Sequence, residues 1–164
     1  MSRPVRRALA AVVLLFAGTA TATAAAAPAG AATTIPALTG IRTGANPGFD
    51  RIVLDLTAGT APGTVSYRLV DELTADPTGD IVWLTGEYFI DVSAFAAAAH
   101  DDSGASTYPG PQKFRTRNLR NVMAVAITGD FEGHLNIGLG VRSRSTVNVF
   151  TLTAPNRVVI DVAG

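Results

Sequence analysis

From Ala37 onward, apolar residues fall in short runs that alternate with polar ones and are broken by Gly, Pro, Asn and Asp clusters, the pattern of many short strands. Runs rich in Val, Ile, Leu, Thr and aromatics predict strands over Leu38–Thr43, Phe49–Leu56, Thr64–Val70, Ile81–Val92, Val122–Phe131, His134–Gly140, Thr146–Thr151 and Arg157–Val162. Reversals are expected at Ala45-Asn46-Pro47-Gly48, Ala61-Pro62-Gly63, Asp76-Pro77-Thr78-Gly79 and Ala154-Pro155-Asn156. One helical stretch is expected, with Ser93 as its cap and Ala94 to Ala99 propagating it as far as His100. Asp101 to Leu119, with Gly104, Pro109, Gly110 and Pro111, reads as a long connection. The expected fold is all-β, a two-sheet β-sandwich or flattened barrel with about eight short strands and one short helix.

One strand pattern occurs twice. Asp50-Arg51-Ile52-Val53-Leu54-Asp55-Leu56 is echoed by Asn156-Arg157-Val158-Val159-Ile160-Asp161-Val162. On an extended chain Ile52, Leu54 and Leu56 point one way and Arg51, Val53 and Asp55 the other; Val158, Ile160 and Val162 repeat the inward set. If the two copies pair antiparallel in register, Arg51 opposes Asp161 and Asp55 opposes Arg157, giving two cross-strand ion pairs.

The amino terminus differs in kind. Arg3, Arg6 and Arg7 precede an apolar stretch, Ala8 to Gly18, and then small residues, the three-part order of a secretory signal. Ala22-Thr23-Ala24 and Ala29-Gly30-Ala31 offer small residues for cleavage, which is expected between Ala24 and Ala32. The apolar core falls short of the ~20 residues that span a bilayer, and Arg6-Arg7 lacks the fuller twin-arginine pattern. The chain is therefore divided into a signal peptide and lead-in at residues 1–31, a flexible linker at 32–36 and a β domain at 37–164. A secreted or cell-envelope location follows, with no stable membrane insertion after cleavage.

Composition narrows the chemistry. With hydrophobic residues at 48% and charged residues at 16%, the chain is too apolar to be disordered. A formal net charge of +0 gives it no overall electrostatic attraction to nucleic acid, and loss of the three signal arginines leaves the remainder net negative. Cys 0 excludes disulfides, thiolate nucleophiles and cysteine-based metal sites, and only His100 and His134 offer imidazole, so no metal or cofactor is expected.

The clearest surface signal is Lys113, Arg115, Arg117 and Arg120, interleaved with Phe114, with Arg142 and Arg144 as a second basic pair. Such a segregated patch suits carboxylates or an anionic polymer; the ordinary alternative is a solvated edge strand whose charges block aggregation. The other constellations read as structural. His100-Asp101-Asp102 reads as solvated polar residues, Ser103 and Ser106 lack a nucleophile elbow, and Gly138-Leu139-Gly140 reads as a glycine-relaxed strand instead of a dinucleotide loop. Asp130, Glu132 and His134 alternate along a hairpin and read as a polar face around its turn, and Asp76 with Asp80 is too few oxygens for calcium. Tyr67, Trp83, Tyr88 and Tyr108 are expected in the core, with stacking on sugar rings as the alternative if exposed.

Several of these segments together resemble the AMIN family, and more closely its AMIN-like branch of bacterial secreted proteins. They are Thr39-Gly40-Ile41-Arg42, Gly48-Phe49-Asp50-Arg51-Ile52-Val53-Leu54-Asp55, Tyr108-Pro109-Gly110-Pro111, Gly129-Asp130-Phe131-Glu132-Gly133, Gly138-Leu139-Gly140 and Pro155-Asn156-Arg157-Val158-Val159-Ile160-Asp161. The resemblance runs from about Leu38 to Val162 and implies a two-sheet β fold used in the periplasm or cell wall to localise proteins, commonly by binding peptidoglycan. On this reading the domain is non-catalytic and binds peptidoglycan or another anionic wall polymer through Arg42, Arg51, Lys113, Arg115, Arg117 and Arg157. The rivals are a module that docks on another envelope protein by a strand edge, and a hydrolase using Asp130, Glu132 and His134.

Overall fold

The structure, a computed structural model, describes residues 35–164. The expected signal peptide and most of the linker lie outside the described residues. Among the described residues nine strands form two antiparallel sheets. The four-stranded sheet has the order β1-β2-β9-β8, built from β1 (Leu38–Asn46), β2 (Phe49–Leu56), β8 (Val147–Leu152) and β9 (Arg157–Ala163). The five-stranded sheet has the order β3-β4-β7-β6-β5, built from β3 (Thr64–Val70), β4 (Tyr88–Phe95), β5 (Lys113–Arg115), β6 (Val122–Phe131) and β7 (His134–Val141). Both keep free edges among the described residues, so the architecture is a sandwich and not a closed barrel.

Each sheet turns an aliphatic face to the shared interior. Ile52, Leu54 and Leu56 of β2 and Val158, Ile160 and Val162 of β9 pack in one cluster with Ile90, Val92, Leu135, Ile137 and Leu139 of the other sheet. Burial of this surface is the main driving force for folding. Tyr108 joins the cluster, and burial pushes its phenol above the ordinary value. Between β6 and β7, Glu132 and Gly133 both take positive φ, 49° and 75°, the requirement of a two-residue type I′ hairpin.

Three expectations are corrected. Ser93–His100 is not helical. Ser93 to Phe95 end β4, and the alanines beyond lie against the start of β1: Leu38 N–H donates to Ala98 O at 2.8 Å, and Ala98 N–H donates to Pro36 O at 3.1 Å. Ala97, Ala98 and Ala99 are buried there, so their small size serves close approach and overrides the helix propensity of alanine. The strand expected from Ile81 begins only at Tyr88; Ile81 to Glu87 belong to a segment that crosses the outer face of the sheet. Of the four aromatics expected in the core only Tyr108 is buried: Trp83 is 79% exposed, and Tyr67 and Tyr88 are also exposed.

Buried polar groups tie the two sheets together at one end. The fully buried Asp50 carboxylate of β2 accepts hydrogen bonds from the backbone N–H groups of Arg120, Asn121 and Val122 at 3.0, 2.6 and 2.9 Å. Asn121 continues the link: its Nδ2 donates to Ala163 O at 2.8 Å, and its Oδ1 accepts from Arg142 N and Ser143 N, each at 3.0 Å. Where β2 ends and β9 begins, Asn156 Nδ2 donates to Gly59 O at 3.0 Å.

The outer face of the four-stranded sheet carries a charge ladder. β2 and β9 pair with Arg51 opposite Asp161 and Asp55 opposite Arg157. Arg51 and Asp161 form a two-pronged pair, each contact 2.7 Å, and the guanidinium also lies over the Phe49 ring at 5.1 Å. Asp55 is instead held by Arg42 of β1, at 2.6 and 2.7 Å, while Arg157 Nε donates to Pro155 O at 3.1 Å. Gly40 stands opposite Asp55 in β1 and leaves the carboxylate open to Arg42.

Two outcomes follow. Asp50→Ala strands three buried N–H groups and lowers stability by about 3–5 kcal/mol, read as a shift of the urea midpoint; a loss under about 1 kcal/mol would remove Asp50 from the inter-sheet tie. The Arg42 guanidinium holds the Asp55 carboxyl below the ordinary carboxylate range, chiefly by hydrogen bonding. The folded pKa is depressed, so the stability it supplies is present above the unfolded value, about 3.9, and is lost as pH falls through the folded one. Asp55→Asn therefore flattens the stability profile below about pH 4, and an unaltered acid slope would contradict it.

Candidate functional site

The segment 71–87 forms a strap across the outer face of the five-stranded sheet. It is anchored where Asp76 N–H donates to Thr128 O at 2.8 Å and Glu87 N–H to Val141 O at 2.9 Å. The floor beneath it is made of small residues. The register places Ala124 opposite Gly140 and Ala126 opposite Gly138, all turned to the same outer face. A Cβ at Gly138 would come within 2.7 Å of the Leu73 side chain, and one at Gly140 would strike the Thr85 carbonyl of the strap. The two glycines thus let the strap seat, with Leu73 only 2% exposed.

One flank of the strap faces β5. Lys113 and Arg115 alternate outward on that strand, Lys113 Nζ lies 3.5 Å from Trp83 O, and the indole stands clear of the surface. A groove of about 190 Å³ lies between Trp83, Lys113, Phe114 and Arg115. The expected long connection thus contains a three-residue edge strand. Arg120 and Arg142 meet at the same end of the sheet, where β6 begins opposite the end of β7 and Arg142 N–H donates to Asn121 O at 3.0 Å. Lys113, Arg115, Arg117, Arg120 and Arg142 make no ion pair among the described residues, whereas Arg144 lies 3.6 Å from Asp71. Carboxylates collect at the other end of the β6–β7 hairpin: Asp130 and Glu132 on it, Asp76 bridged to Gly129, and Asp101 beside the His100–Asp130 pair. Asp71, Glu72 and Glu87 stand at the Arg142 end on the β3–β4 side, so the unpaired cations are segregated toward the β5 edge and not along the whole sheet.

The five arginines and one lysine expected as contacts divide between the two sheets. Lys113 and Arg115 come together on β5, with Arg117 just beyond it. Arg42, Arg51 and Arg157 lie on the four-stranded sheet, where Arg42 and Arg51 are already held by Asp55 and Asp161.

Asp130, Glu132 and His134 do not form an acid–base set. Asp130 opposes the buried Leu135, so it turns to the face opposite His134, the next residue back along β7. Its carboxylate accepts from Ala99 N at 2.8 Å and lies 2.6 Å from His100 Nδ1. His134 packs against the Phe95 ring at 4.8 Å. In the neighbouring loop the Asp101 carboxyl lies below its ordinary value because the Ser103 hydroxyl and two backbone amides donate to it.

The other flank of the strap holds a polar groove of about 480 Å³ whose floor is β4 and β7. Arg68 of β3 pairs with Asp91 of β4 at 2.5 Å, and Asn136 Nδ2 lies 3.4 Å from Asp76 Oδ2. Ser66 and Ser93 are cross-strand partners between them. Sequence reasoning missed this groove because its residues come from five separate segments and no local spacing marks them. The only sequence sign was the polar alternation Arg68, Asp91, Ser93 and Asn136 on strands with apolar inner faces.

The AMIN-like domain model matches residues 36–164, which takes in both sheets, the strap and both grooves. No curated protein and no solved structure matches the chain. Extending over nearly all of the described residues, that match establishes that the chain belongs to the AMIN-like family.

Proposed function

We infer that this domain is a non-catalytic localisation module of the cell envelope that holds an anionic wall polymer, peptidoglycan first among them, at the basic edge of its five-stranded sheet. The observation that carries this reading is Trp83, 79% exposed on a strap anchored at both ends and flanked by Lys113 and Arg115. Leaving an indole in water is unfavourable, and here its backbone is fixed, so the ring is presented without a backbone ordering cost. An apolar ring face stacks on the indole, while carboxylates on the same polymer meet cations that no carboxylate among the described residues neutralises. Trp83 belongs with the contacts suggested by the basic run, whereas Arg42 and Arg51 serve the charge ladder.

Co-sedimentation with purified peptidoglycan over a salt series tests this. The wild-type chain is retained at low ionic strength and released as the Debye length shrinks to about 3 Å near 1 M salt. The double variant Lys113→Glu, Arg115→Glu loses retention at low salt, Trp83→Ala weakens it by about three- to tenfold, and Arg42→Gln leaves it unchanged. Absence of wild-type retention at low salt, or equal retention by all variants, would overturn the reading.

A further inference from the structure

We propose that the polar groove on the far flank of the strap binds a dipeptide-sized zwitterion, taking its carboxylate at Arg68 and its ammonium group at Asp76. This goes beyond the polymer contact, since the two grooves lie on opposite sides of the strap and share none of their lining residues. Arg68 uses Nη2 on Asp91, and its side chain is 74% exposed, which leaves guanidinium N–H groups free for a ligand carboxylate. Across the groove, Asp76 has a single long side-chain contact, 3.4 Å from Asn136 Nδ2, so its carboxylate keeps acceptor capacity for an ammonium group. Thr128, another residue of the lining, keeps its Oγ1 buried and without a hydrogen-bond partner.

The spacing decides the size of the ligand. Arg68 lies on β3 and Asp76 is bridged to Gly129 of β6, three strand spacings or roughly 14 Å apart, and the arginine side chain, reaching Asp91 on β4, together with the Asp76 carboxylate, turned toward Asn136 on β7, spans about half of that gap. Two extended residues reach ~7 Å between their termini, which fits the remainder, while a single amino acid is too short. Ser93, the cross-strand partner of Asn136, then stands under the central peptide unit. Other ligand classes fit less well. A calcium ion needs six to eight oxygens, and here one of the two carboxylates is already paired with Arg68. A neutral sugar lacks the stacking platform that Trp83 provides on the other flank, since no Trp, Tyr or Phe lines this groove.

The test is an amide chemical-shift titration of the full-length chain with alanylalanine. Saturable shifts are expected at Arg68, Asp91, Ser93 and Asn136, with a Kd on the order of 1 mM. N-acetylation or C-amidation of the peptide weakens binding by about tenfold or more, and so does Asp76→Asn, whose spectrum reports that it remains folded. Trp83→Ala leaves dipeptide binding unchanged, so failure of polymer retention and failure of this site are separately legible. The proposal is overturned by the absence of saturable shifts at about 20 mM peptide, or by equal binding of the blocked peptides or of a simple alkylamine.

Discussion

The Asp50 carboxylate, fully buried and facing three consecutive backbone N–H groups, is the constraint on which the arrangement of the two sheets depends. A buried charge without partners would cost several kcal/mol, and a row of unpaired amides would cost about as much again, so each group makes the other tolerable. Hydrophobic burial brings the sheets together without direction. The carboxylate adds direction: it fixes where β6 starts relative to β2, and Asn121 carries the same link on to the end of β9. The Glu132-Gly133 turn sets the β6–β7 register, and with it the small-residue floor that receives the strap.

Much of the sheet structure was legible in the sequence because the period of two is a local signal. The ends of Phe49–Leu56, Thr64–Val70 and Val122–Phe131 coincide with β2, β3 and β6. The repeated Arg-aliphatic-Asp pattern located the two central strands of the four-stranded sheet, and their register matches. What the pattern hides is competition among partners. Asp55 has Arg157 opposite it on one side and Arg42 on the other, and the glycine at position 40 gives Arg42 the open approach. The alanine run after β4 misled for a related reason: a residue that favours helices is also the smallest that can line a tight contact.

The candidate sites were less legible, for a reason rooted in how they are built. The basic run was visible as consecutive sequence, yet its aromatic companion, Trp83, arrives on the strap from some thirty residues earlier. An apolar residue inside a Val- and Ile-rich stretch reads as core, and only the small floor of Gly138 and Gly140 explains why that stretch lies on top of the sheet. The glycine pair that resembled a fragment of a nucleotide loop is thus a seat for backbone. The polar groove left even less trace, since its walls come from β3, β4, β6, β7 and the strap.

The strap has a geometric consequence of its own. It is a partition common to two recesses, one lined by an indole and cations and the other by a carboxylate and hydroxyls. A sideways displacement of a shared partition narrows one recess by the width it adds to the other, so the two volumes are antagonistic by construction. The anchors at Asp76 and Glu87 set how stiff that trade is, and they do so from positions outside the indole recess.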